Sequence, residues 1–99
     1  MKFIYCTCNT SMKNRLVETL EANGVHAYQI IDEVAAKPLH GNPRLNNAVW
    51  PGYNTIINMQ ISDNNKAASV MDILRHFNKT ATTDAERITA CSLPVDGSV

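Results

Sequence analysis

The groups in this chain whose types could do chemistry are three thiols, three imidazoles and a run of cations in one proline-rich segment. Cys6-Thr7-Cys8 places two thiols on the same side of an extended segment, about 7 Å apart along it by the rise per residue. A last strand carrying Cys91 could bring a third thiol beside them and create a thiolate metal site. The spacing is not the Cys-x-x-Cys of a zinc knuckle, however, and buried cysteines commonly serve as small core residues, so Cys6 and Cys8 are read as core. An odd number of cysteines in apolar or small-residue surroundings does not suit a disulfide framework, and the thiols are expected to be reduced. His26, His40 and His76 fall in separate segments with no His-x-x-x-His or paired carboxylate to join them. No metal site is assigned. Nor is there a nucleophile elbow, a Walker-type phosphate loop or a Cys-His pair with a local signature, so no enzyme is expected.

The cationic segment is the more informative one. Ala35 to Gly52 holds Pro38, Pro43 and Pro51, three of the four prolines, together with Gly41 and Gly52. Neither a regular helix nor a central strand can run through it. Loops longer than about 12–15 residues in packed domains tend to be functional or disordered, and this one is longer. It carries Lys37, His40 and Arg44 without a carboxylate, and Trp50, the sole tryptophan, stands near its exit. Such a loop suits a partner-binding surface formed by Lys37, His40, Arg44 and Trp50. Trp50 can serve as a partner anchor or as a peg that holds the loop's exit to the domain, with the peg the preferred of the two.

The elements that must position this loop follow from periodicity. Phe3 to Cys8 is short, aromatic and branched, hence a strand, and a helix starts near Asn9, Thr10 or Ser11, each of which can cap it. Met12, Leu16, Val17 and Leu20 share one face of that helix, and Asn23-Gly24 stops it. Val25 to Val34 reads as the second strand and Tyr53 to Ile61 as the third, where Ile57, Met59 and Ile61 alternate with Ile56, Asn58 and Gln60. Ala67, Val70, Met71, Leu74 and Phe77 define a second helix from Ser62 or Asp63 to near Asn78, with Met59 and Met71 in core positions. Lys79 to Ala85 reads as a turn and Arg87 to Val95 as the last strand. The order β-α-β-β-α-β is the ferredoxin-like, α+β arrangement, an antiparallel four-stranded sheet covered by two helices on one face. Because the first strand presents apolar bulk on both faces, the open face is expected to be covered by oligomerisation.

At 99 residues the chain is read as one domain spanning 1–99, and nine basic against nine acidic residues argue against nucleic acid as the main partner. No apolar run approaches the roughly 20 residues of a membrane span, and Met1 to Ser11 lacks a signal-peptide pattern, which makes the cytoplasm the expected location.

The order of elements, the long loop after the second strand, Leu20-Glu21-Ala22-Asn23-Gly24-Val25-His26, Ile31-Asp32-Glu33-Val34 and Leu93-Pro94-Val95 together resemble the PII signalling proteins, with the CutA-type proteins as structural cousins. The resemblance covers nearly the whole chain. It implies a homotrimeric regulator that binds a nucleotide or small anion in clefts between subunits and presents Ala35 to Gly52 to a target, often a membrane transporter. It further implies that Lys79 to Arg87 occupies the place of the family's short phosphate-binding loop, so that Lys37, Lys79, Thr82, Thr83 and Arg87 become the ligand-binding candidates through cations, hydroxyls and backbone donors. The family's glycine-rich loop base with a glutamine and its glycine-lysine turn are replaced by Ala35-Ala36-Lys37-Pro38 and Ala81-Thr82-Thr83-Asp84. ATP binding of the usual kind does not carry over, and neither does uridylylation, because Tyr53 sits at the start of a strand. Two alternatives remain open: a CutA-like metal-binding protein with His40 and a cysteine as ligands, and a small ferredoxin-fold enzyme using Arg15 or Arg87 at a phosphate site.

Overall fold

The structure is a computed structural model and describes residues 1–99. Strand β1 (Lys2–Asn9) ends where the Asn9 side chain accepts a hydrogen bond from the Ser11 amide at 3.0 Å. That cap starts a single 3-10 turn, Thr10–Met12, which leads into helix α1 (Lys13–Ala22). The helix stops in a Schellman motif: the Val25 amide donates to the Leu20 carbonyl at 3.0 Å and the Gly24 amide to Glu21 at 3.1 Å. Gly24 takes φ 83°, the left-handed conformation this motif demands.

The second strand, β2 (Gln29–Val34), starts later than the apolar pattern from Val25 predicts. The residues before it are committed elsewhere. Val25 closes α1 and is buried with Leu20, while the His26 ring nitrogen Nδ1 and the Tyr28 hydroxyl both reach the Glu21 carboxylate, at 2.6 and 3.0 Å. The bond from His26, then that from Tyr28, holds the Glu21 carboxyl below its ordinary range; the same carboxylate raises the Tyr28 hydroxyl.

Strand β3 (Asn54–Ile61) is followed by helix α2 (Asn64–Thr80), whose N-cap Asp63 accepts from the Asn65 amide at 2.8 Å. This helix continues past Asn78, its expected end. The Asn78 side chain pairs with the backbone of Ile88, accepting from its N–H at 2.8 Å and donating to its carbonyl at 2.9 Å. Asn78 therefore fastens the start of strand β4 (Ile88–Pro94) rather than ending the helix. Lys79 consequently lies in the last turn of α2, where a cation complements the helix dipole, and not in the turn that follows.

The four strands are antiparallel in the order β2-β3-β1-β4, with both helices on one face. This is the expected ferredoxin-like α+β arrangement. Its core joins Ile4 and Cys6 of β1, Leu16 and Leu20 of α1, Ile57 and Met59 of β3, and Val70 and Leu74 of α2. Phe3, Tyr5 and Thr7 face the other way, beside Leu93, Cys91 and Thr89 of β4 and Gln60, Asn58 and Ile56 of β3. Cys91 pairs with Tyr5, which puts it on the face opposite Cys6 and Cys8, so the strand pairing keeps the three thiols apart.

Burial is the main reason that the Cys6 thiol is pushed up to about 12 and the Cys8 thiol to about 11. For a group whose folded pKa is raised, stability is fully present below the unfolded value and falls as pH rises through the folded one. Denaturant midpoints should therefore decline from about pH 9, the ordinary thiol value, toward pH 12. A Cys6→Ala/Cys8→Ala variant, less stable at neutral pH, should show a shallower decline; an unchanged slope would assign the alkaline loss to other groups.

Candidate functional site

The site is built where the long loop leaves and re-enters the sheet. Ile31 pairs with Ile56, but Val34 pairs with Asn54, so β2 holds one residue more than its partner. The extra residue sits at a β-bulge in which Glu33 adopts φ 59°. A bulge exchanges the faces of the residues beyond it. Val34 thereby joins Asn54 and Ile56 on the open face, where in continuous register Glu33 would have faced Asn54. A carboxylate is removed from the loop base and an apolar side chain takes its place.

Beyond Val34 the loop folds on itself twice. Ala36 and Arg44 exchange two backbone hydrogen bonds, at 2.9 and 2.8 Å, closing a small hairpin over Lys37 to Pro43. A second turn is organised by Asn47, whose side-chain carbonyl accepts from the amides of Val49 and Trp50 at 3.1 and 2.7 Å. The Trp50 carbonyl in turn accepts from Leu45 and Asn47, both at 3.1 Å, so the tryptophan backbone is a structural member of the loop while its indole stays partly exposed. Leu39 and Val49 stand out at 93% and 73% exposure, one on each turn.

The first hairpin leans toward the segment before β4 and encloses a cavity of about 610 Å³. Its floor is the end of the sheet's open face, with Thr7, Asn54, Ile56 and Thr89; its walls include Lys37, His40, Arg44, Asp84 and Arg87. Arg44 holds the two walls together. Its side chain is only 12% exposed, donates to the Asn54 Oδ1 at 3.0 Å and approaches the Asp84 carboxylate at 3.6 Å. Asn54 passes the contact on by donating to the Thr7 hydroxyl at 3.1 Å. A volume in this range suits a small-molecule site, and three permanent cations facing one carboxylate give it a positive balance.

Of the candidate ligand residues, Lys37 and Arg87 line this cavity whereas Lys79, Thr82 and Thr83 do not. Lys79 belongs to α2, and the Thr82 hydroxyl is turned to Glu86, to which it donates at 2.8 Å. Of the partner-loop candidates, Lys37, His40 and Arg44 face the cavity and Trp50 lies on the second turn. Arg15 is separate from all of these: its guanidinium lies 5.7 Å over the Phe77 ring in a groove between the helices, which His76 also lines. His26 is held by Glu21, so the three histidines occupy three different places.

The two partners of Arg44 in the site, Asn54 and Asp84, are not candidates in the sequence. Asn54 could have been noticed as a polar residue opening a strand of apolar alternation. Asp84 carries no local signal, since only the fold brings it to Arg44.

Neither a family model nor a curated protein matches the sequence. Solved structures do match the fold. One is CPII bound to ADP and bicarbonate, from Thiomonas intermedia, with a TM-score of 0.67 at 14% identity over 95% of this chain and 86% of that one. Another is described as a PII-like signalling protein, from Thermus thermophilus, with a TM-score of 0.63 at 18% identity over 93% of this chain and 83% of that one. The chain has the PII-like fold. A further CPII structure, described as a nitrogen regulatory PII-like protein bound to ADP, AMP and bicarbonate, has a TM-score of 0.65 at 13% identity and covers 99% of this chain and 94% of that one. Within the PII-like fold, the loop from Ala35 to Gly52 and the segment from Lys79 to Arg87 meet at the end of the open sheet face, as the cavity between them records. No helix is long and apolar enough to cross a membrane, and no group of three or more His, Cys, Asp and Glu side chains is placed to hold a metal ion.

Proposed function

We propose that this chain is a PII-like regulatory protein that acts as a homotrimer in the cytoplasm. It binds an adenine nucleotide or a small anion such as bicarbonate in clefts between subunits and presents Ala35 to Gly52 to a protein target. A membrane transporter is the class of target that the PII resemblance implies. The observation that carries this reading is the cationic cavity beneath the first loop hairpin, lined by Lys37, Arg44 and Arg87. A ligand there touches the base of the loop directly, so binding favours one loop conformation by differential affinity, as any ligand-driven switch requires.

The open sheet face supports the trimer. Ile31 and Leu93 lie on it half exposed, apolar surface that a second copy would cover.

Native mass spectrometry of the full chain with added ADP and bicarbonate tests this reading. A trimer that retains ADP is expected, with retention lowered roughly tenfold in Arg87→Ala through loss of one charge-assisted contact. A monomer, or a trimer that retains neither ligand at millimolar concentration, would overturn it.

A further inference from the structure

The one carboxylate in the cavity sits where a ligand's anionic group belongs. Asp84 lies 3.6 Å from the Arg44 guanidinium and accepts from the Asn42 amide at 3.4 Å. The backbone beneath it is shaped for this approach. A Cβ at Gly41 would stand 2.5 and 2.7 Å from the two Asp84 carboxylate oxygens, and Gly41 has φ 93°, a conformation that side chains rarely adopt. Only glycine lets the carboxylate lie this close to the hairpin. Resting on proposed ligand binding in this cavity, we infer that Asp84 is an internal anion that latches the Ala36 to Arg44 hairpin to the segment before β4. A carboxylate, bicarbonate or phosphate group displaces it.

The latch has the properties a displaceable contact needs. Asp84 remains half exposed, with a side chain 49% accessible, so water can receive it when it swings out. Both of its partners are then left as donors aimed at the vacated place: the Arg44 guanidinium, itself held by Asn54, and the Asn42 amide. An incoming oxyanion satisfies the same two donors. It leaves Asp84 unpaired and the hairpin without its link to the neighbouring segment, which is how occupancy would be read out in the loop. A partly exposed ion pair contributes little by itself, and this is why a small anion can compete with it.

The test uses the full chain, with ADP as the probe and pyrophosphate as a second probe that lacks the nucleoside. Isothermal titration measures affinity, and amide hydrogen exchange at Ala36 and Arg44 measures the hairpin without ligand. Asp84→Asn is expected to bind both probes roughly threefold to tenfold more tightly and to exchange faster at these amides. Gly41→Ala, which crowds the carboxylate out while keeping it in the chain, should tighten binding of both probes in the same way; its amide exchange is not a readout of the latch, because a side chain at φ 93° strains the hairpin by itself. If the unaltered chain binds ADP and both variants match it, the latch is refuted while the ligand-binding reading stands. If neither the unaltered chain nor either variant binds either probe, the ligand-binding reading fails and the latch with it.

Discussion

Arg44→Ala is expected to lower stability by about 1–3 kcal/mol and to weaken anion binding more than tenfold. The stability loss arises because Arg44 is the hydrogen-bond donor to the Asn54 Oδ1, and Asn54 is a buried polar residue at 6% exposure. Removing the guanidinium leaves that acceptor desolvated, which costs more than the net worth of the bond. The binding loss arises because the same group is the most buried cation of the cavity, with its side chain only 12% exposed. Arg44→Lys should not rescue fully, since an ammonium cannot serve Asn54 and an anion through one planar fork. Denaturant titration and calorimetric titration of the variant check both halves. A variant of ordinary stability that still binds would show that the hairpin is held from elsewhere. The sign relative to Asp84→Asn is opposite, and in the Arg44→Ala background the Asp84 substitution should have little further effect, because residues sharing one interaction are not additive.

In the proposed trimer, Leu93→Asp should separate the subunits while leaving each one folded. Leu93 is half exposed on β4 and pairs with Phe3 across the open face, away from the core that Leu16, Ile57 and Leu74 make with the helices. In an isolated subunit a charge at such a site should change stability by no more than about 0.5 kcal/mol. Across a closed interface the same charge would be buried without a partner, a loss of several kcal/mol repeated in every subunit. Native mass spectrometry reads the change in assembly, and circular dichroism confirms the fold. Cys91 supplies an independent readout: it lies two residues before Leu93 on the same face and is exposed in the single chain. Its reaction with a thiol reagent should be slow in the trimer and fast in the variant, whereas Cys6 and Cys8, both buried, stay unreactive in either. A Leu93→Asp protein that remains trimeric with a protected Cys91 would place the interface on another surface.

The parts of the fold that were legible in the sequence are those decided over a few neighbouring residues. Asn23-Gly24 reads as a helix stop because its hydrogen bonds close within the same turn, and Asp63 reads as a cap because it reaches only Asn65 and Lys66. The alternation of Ile57, Met59 and Ile61 marks a strand buried on one face whatever its partner, and the three prolines of the long loop exclude regular structure locally. Where local preference meets a competitor outside its own segment, the competitor wins. Val25 to Tyr28 is apolar enough for a strand but is held by Leu20 and Glu21, and Asn78 looks like a helix end but is occupied by Ile88.

The sequence by itself thus determined the α+β order of elements, the position of the long loop and the presence of cations within it, all of which follow from short-range sterics and apolar periodicity. Only the tertiary structure decided which of those cations meet. The bulge at Glu33 sets the face of Val34, the β1 and β4 register sends Cys91 away from Cys6 and Cys8, and the folding of the loop over the sheet end brings Arg44 to Asn54 and Asp84 to Gly41. These are contacts between residues far apart in the chain, and their geometry is fixed by strand pairing and packing rather than by the preference of any one residue.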